Sequence, residues 1–296
     1  MRLETIGFQD VWLYLVGITY GYAGCYQELF KDYVEEVEHM SVNSYLTDLA
    51  SALVLSSTQK DHISTSVETI KTRLSLYFST EVEEKKVFGS YVRGTILPRK
   101  ADDKSDVDIM MVFKNSNGYK PQTFLNKLRK FAEKYYSGSE IYQSSPTIVL
   151  ELNHIKFELT PAYVQYGMYC IPNGQSNWMY TDPDGFYSTL TQCNSNNSSK
   201  IKPVVRLLKH WNIAKNNRNM SSFLLEKKIA EEMTYAYISC TSYTDYLKKA
   251  FNLIKYDTNT DRVNLAISHI DWALAYEEAN TPDSALAEIK KVFPEV

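Results

Sequence analysis

The chain of 296 residues is 44% hydrophobic and 23% charged, a globular composition that excludes a disordered, collagen-like or small disulfide-stapled protein. With 32 basic against 35 acidic residues the net charge is −3, so no overall basic field draws in duplex nucleic acid, and a polyanion has to be met by a local patch. Cys25, Cys170, Cys193 and Cys240 lie far apart with no CxxC pair, which argues against a zinc ribbon or redox pair and fits free thiols in a cytoplasmic protein.

Residues 1–39 form an N-terminal extension of distinct composition, with two basic against seven acidic residues, while residues 40–296 carry 30 basic against 28 acidic. Its apolar run from Val11 to Tyr20 is half of the roughly twenty residues a bilayer crossing needs, and no basic segment precedes it, so neither a membrane anchor nor a secretion signal is expected.

From Met40 the pattern becomes regular. Leu46, Leu49 and Leu53, then Val67, Ile70, Leu74 and Tyr77, recur at three and four and predict helices over 43–79. Lys86-Val87-Phe88 reads as a strand ending in glycine, and Val107–Phe113 as a second, aliphatic strand. A helix over 121–136 opens with Pro121 in its first turn. Thr147–Leu152 and Ile155–Thr160 flank Asn153-His154 and read as a hairpin with a two-residue turn. The Asn-, Ser-, Gly- and Pro-rich stretch to residue 200 reads as loops, and helical periods follow at 201–215, 222–239, 241–254, 262–279 and 282–292. The expected class is therefore α+β: an α/β core over 40–165 with leading helices, a loop-rich connection over 166–200 lining a cleft, and a helical lobe over 201–296.

Chemistry concentrates around that cleft. Gly89-Ser90 ends a strand and opens a short helix, an arrangement that closes backbone N–H groups and a hydroxyl around a phosphate. In Asp106-Val107-Asp108, strand alternation puts both carboxylates on one face; their repulsion calls for a cation, and magnesium suits paired carboxylates completed by substrate phosphates. Glu158 alternates against Phe157 and Leu159 and could join the pair as ligand and general base, with Glu151 on the partner strand as competitor. Lys202, Arg206 and Lys209 at i, i+4 and i+7 make a basic stripe, from which Lys209 could reach a triphosphate, and Ser221-Ser222 opens the next helix as a cap and a candidate phosphate ligand. Tyr163, Trp178 and Tyr180 are candidate stacking partners for a base.

The strings GSYVRGT, SDVDIMMVF, KFELTPAY, IKPVVRLLKHWN and SSFLLE, in this order, resemble the bacterial CD-NTases, relatives of cyclic GMP-AMP synthase and oligoadenylate synthetase in the DNA polymerase β nucleotidyltransferase superfamily. The resemblance implies a polymerase-β-like nucleotidyltransferase core with a mixed sheet and a C-terminal helical lobe like that of oligoadenylate synthetase. It also implies synthesis of a cyclic di- or oligonucleotide second messenger from NTPs such as ATP and GTP, acting on a downstream effector in anti-phage (CBASS) defence. Carried over by position, Asp106, Asp108 and Glu158 would hold two Mg2+ ions, which Mn2+ could replace. Gly89, Ser90, Lys209 and Ser222 would hold the triphosphate; apart from the resemblance, Lys202 on the basic stripe and Tyr180 among the aromatics are further candidate nucleotide contacts. The third acid is often Asp in the family and here is Glu158, and residues 1–39 have no counterpart. With neither a zinc ribbon nor a long helical spine, no duplex DNA activator is expected. The rivals are transfer of a nucleotide to an antibiotic, tRNA or protein acceptor, and a non-catalytic nucleotide-binding module.

Because the five motifs all lie after Met40, a chain starting there is expected to be soluble and to keep its NTP turnover. Aggregation of that chain, beside an active full-length protein, would show the extension to be integral to the fold.

Overall fold

The computed structural model describes residues 40–115, 117–144, 146–231 and 236–296; the expectations for the N-terminal extension, its Val11–Tyr20 run and Cys25, and for 232–235 of the helix expected over 222–239, lie outside the described residues, while residues 236–239 of that expected helix form turns. Cys170, Cys193 and Cys240 form no disulfide. Among the described residues no helix is long and apolar enough to cross a membrane.

The leading helices are α1 (Val42–Ala52) and α2 (Ser57–Phe78), separated where Ser56 caps α2 through a reciprocal pair with Gln59. The strands β1 (Val82–Phe88) and β2 (Asp106–Phe113) flank a short helix, α3 (Gly89–Arg93). Next come α4 (Pro121–Tyr135), β3 (Glu140–Ser144), β4 (Thr147–Glu151) and β5 (Lys156–Gln165). β4 and β5 form the expected hairpin around Asn153-His154, with Glu151 opposite Lys156 and the Leu152 N–H donating to the Ile155 carbonyl at 3.1 Å. The strands run in the order β1-β2-β5-β4-β3, with β2 and β5 parallel and the other pairs antiparallel. The sheet is mixed, and the fold is the α+β class expected.

The stretch 166–200 corrects the sequence reading. It holds β6 (Met168–Asn173) and β7 (Asn177–Thr181), which extend the far half of β5, and then α5 (Pro183–Asn196), opened by Asp182 as cap and Pro183 in its first turn. The remaining helices are α6 (Ile201–Ala214), α7 (Ser222–Glu231), α8 (Tyr243–Ile254), α9 (Thr260–Glu278) and α10 (Pro282–Val292).

Two apolar cores follow from these periodicities. Ile63, Val67, Ile70 and Leu74 of α2 and Phe124, Leu128 and Phe131 of α4 pack on one face of the sheet against Val107, Ile109, Met111, Phe157 and Leu159. Each such fully buried large side chain is worth about 1.5–3 kcal/mol. The alternate residues of β2 and β5 therefore emerge on the opposite face, which carries the polar residues of interest. The second core is helical, built from α6 to α10, and α1 belongs to it although it precedes the sheet in sequence. The Tyr45 hydroxyl donates to the Phe293 carbonyl at 2.6 Å, and the Val42 N–H donates to Glu277 Oε1 at 2.8 Å.

Candidate active site

The site begins with one backbone conformation. Gly89 has φ of +76°, which L side chains rarely adopt, and a Cβ built there would stand 1.8 Å from Asp108 Oδ2. Glycine is thus required twice over, for the turn out of β1 and for the approach of the backbone to a carboxylate. The turn ends at Gly94, also left-handed, whose N–H returns to the carbonyls of Ser90 and Tyr91.

On the sheet face below that turn, the parallel register sets Asp106 beside Lys156 and Asp108 beside Glu158. Lys156 Nζ lies 3.3 Å from Asp106 Oδ2 and 3.0 Å from Glu158 Oε1, while Glu158 Oε2 accepts from the Thr147 hydroxyl at 3.2 Å. Burial, and then the charge of Glu158, push the Asp106 carboxyl up to about 6. Burial, followed by the charges of Asp106 and Glu158, holds Asp108 well above the usual carboxylate range, with Arg93 partly opposing. For Lys156, burial works against the charged form, but Glu158 and Asp106 outweigh it and raise its pKa. Among the described residues no group of three or more His, Cys, Asp or Glu side chains could hold a metal ion as it stands. Asp106 and Glu158 are both engaged by Lys156, and Glu158 by Thr147 as well, so an ion has to displace Lys156 to use either carboxylate. Glu151 lies opposite Lys156 on β4 and within 3.7 Å of Arg99, one strand further from that pair.

Above the acids is a cavity of about 300 Å³ whose wall includes Ser90, Asp106, Asp108, Lys156, Lys209 and Ser222. Two of the three residues of the basic stripe on α6 reach the turn: Arg206 donates to the Gly94 carbonyl at 2.9 Å and Lys209 to the Thr95 carbonyl at 3.0 Å. Lys209 is buried and also pairs with Glu226 Oε1, whose other oxygen accepts from Arg93 Nε at 2.7 Å. Glu226 is fully buried, and the two cations hold its pKa down against the opposing effect of burial. Arg93 in turn lies over the rings of Phe186 and Phe223.

Two nucleotide candidates stand apart from this cavity. Lys202 is absent from its wall and rests 5.7 Å from the Tyr187 ring centre. Tyr180, on β7, is half exposed and its hydroxyl contacts Gln165. Trp178 packs against Phe124 and Tyr163. The sequence reading passed over Lys156, Arg93 and Glu226. A signal for Glu226 existed, since it shares the buried stripe of Leu225, Ile229 and Ala230 on α7.

Residues 40–194, more than half of the chain, match the Second Messenger Oligonucleotide or Dinucleotide Synthetase domain. The chain belongs to this family. It is 25% identical over 268 residues to a probable cyclic nucleotide synthase of Bacillus cereus, covering 70% of this chain and 80% of that protein. It is 25% identical over 210 residues to a cyclic AMP-AMP-AMP synthase of an Acinetobacter species, covering 66% of this chain and 60% of that one. Its fold is that of CdnC from Escherichia coli MS115-1, whose structure was solved with ATP, at a TM-score of 0.68 and 14% identity over 86% of this chain and 98% of the other. The protein is a CD-NTase, a nucleotidyltransferase with a polymerase-β-like core.

Gly89→Ala is expected to keep its far-UV circular dichroism but to lose at least about 100-fold in nucleotidyl transfer, because the added carbon displaces Asp108 by an ångström or more. Asp106 titrates near 6 in the folded chain against 3.8 for a free side chain, so the stability it contributes is present below pH 3.8 and lost as pH rises through about 6. With chelator present, Asp106→Asn should therefore melt at least about 2 °C above wild type at neutral pH, with the gain closing on acidification. An Asn variant less stable than wild type at neutral pH would contradict this electrostatic account.

Proposed function

We propose that this CD-NTase joins NTPs into a cyclic di- or oligonucleotide second messenger that acts on an effector in anti-phage defence, with two divalent ions in the cavity. The observation that carries this reading is the contact of the Gly89 backbone with Asp108, which puts a phosphate-binding turn and a pair of carboxylates on one cavity wall. The donor set suits magnesium, which commonly takes one or two carboxylates and completes its shell with substrate phosphates and water. Asp106 and Asp108 would hold the ions, and the raised pKa values of both carboxyls fit a site whose charge is neutralised by cations.

In this reading the Ser90 hydroxyl and the N–H groups of the turn hold the triphosphate against the acids. Lys209 and Ser222 bind it from the helical side, and the Lys209 charge offsets that of the departing pyrophosphate. Bound divalent ions supply Lewis acidity, making the attacking hydroxyl easier to deprotonate and stabilising charge on the phosphate oxygens. Glu158, which has to be released by Lys156 first, takes the proton from the ribose hydroxyl as the hydroxyl oxygen bonds to the α-phosphorus and the bond to pyrophosphate breaks. A second transfer within the linear product closes the ring.

Incubation of the full chain with labelled ATP and GTP and Mg2+ is expected to give a phosphatase-resistant product without any added acceptor, identified by mass spectrometry. Asp106→Asn with Asp108→Asn is expected to abolish it while the chain stays folded. Dependence on an added acceptor would replace the reading with transfer to that acceptor, and no product under any condition would leave a nucleotide-binding module.

A further inference from the structure

The transfer chemistry gives no task to Lys156. Its side chain is only 13% exposed, on the same sheet face as the three acids, and its ammonium bridges Asp106 on β2 and Glu158 on its own strand, β5. It also lies on the cavity wall with Asp106 and Asp108. A divalent ion bonded to a carboxylate sits about 2.1 Å from its oxygen. An ion on Asp106 Oδ2 and an ammonium 3.3 Å from that same atom are then both cations crowded around one oxygen. Glu158 is likewise committed, with one oxygen on Lys156 and the other on Thr147.

We propose that Lys156 is a positioning residue that holds the place of the divalent cation. In the free protein it keeps Asp106 and Glu158 together across the strands, and it has to release Asp106 before an ion binds there. Because Lys156 is part of the cavity wall, a triphosphate arriving with its ion offers its ammonium a new anionic partner. Ion and nucleotide binding are thereby coupled, each strengthening the other by the same factor. Free metal alone competes poorly with Lys156, which keeps the site from loading before substrate arrives. This inference rests on the metal-dependent reading above.

The test is a Mn2+ titration of the full chain, with free Mn2+ followed by electron paramagnetic resonance, alone and with a non-hydrolysable ATP analogue. Lys156→Gln and Lys156→Met are each expected to bind Mn2+ alone about tenfold more tightly than wild type, the size of change neighbouring groups commonly impose on metal affinity. The strengthening of Mn2+ binding by the analogue should shrink in both variants, and Lys156→Arg, which keeps the charge, should resemble wild type. A merely structural role predicts the opposite sign, since a loosened site binds metal less well. Unchanged or weaker Mn2+ binding in a variant with native circular dichroism, beside a wild type that makes product, would overturn the role of Lys156 alone. A wild type that binds neither Mn2+ nor the analogue would overturn both this role and the reading beneath it.

Discussion

A carboxylate with no access to water, Glu226, joins the two halves of the cleft. One of its oxygens takes Arg93 from the turn after β1, and the other takes Lys209 from the helical core. A lone buried charge would cost several kcal/mol, and removal of one partner from such a group typically costs about 3–5 kcal/mol. The arrangement therefore makes sense only as a unit: it fixes the height of the turn above the sheet and, through the Lys209 bond to the Thr95 carbonyl, the distance from sheet to helices. The same lysine is thereby confined to the cavity wall. A free lysine would lose rotamer entropy on meeting a phosphate, and much of that loss has been taken in folding.

The sheet face beneath solves a different electrostatic problem. Three carboxylates and one ammonium sit in adjacent register positions of β2 and β5, on a surface whose other side is wholly apolar. The apolar side holds the strands so firmly that the acids cannot separate to relieve their repulsion. Burial first, and this repulsion second, make carboxyls that take up protons more readily than free aspartate does. The close approach of Gly89 removes one further direction of escape for Asp108.

How much of this the sequence disclosed depended on the range of the interactions. Asp106, Asp108 and Glu158 were legible because strand alternation is a local rule, and the apolar residues between them are unambiguous. Lys156 obeys that rule too, but its partner on the neighbouring strand is fixed only by the β2–β5 register. Lys209 was found by helical spacing, whereas its pairing with Glu226 joins two helices whose packing no local pattern reveals. The strands β6 and β7 escaped because their residues are mostly exposed or half-buried, which blurs the alternation, and because Pro172, Asn173 and Gly174 imitate a loop. In α5 only Leu190 and Cys193 are buried, too few to make a stripe among Ser, Thr and Asn, although Asp182-Pro183 marked its start. The family resemblance, by contrast, rested on five motifs in fixed order and pointed to the fold that the structure has.

The placement of α1 has a consequence for how the chain is made. Tyr45 reaches Phe293 across 248 positions, so although α6 and α8 offer α1 partners earlier, its packing is complete only once residue 293 has been made. At usual rates of synthesis that is a wait on the order of ten to fifty seconds. Until the later helices are made, Val42, Leu46, Leu49 and Leu53 present an apolar stripe that a nascent-chain chaperone can hold. A chain that ends before residue 293 therefore loses not only the last turns of the helical core but also part of what seats α1 in it.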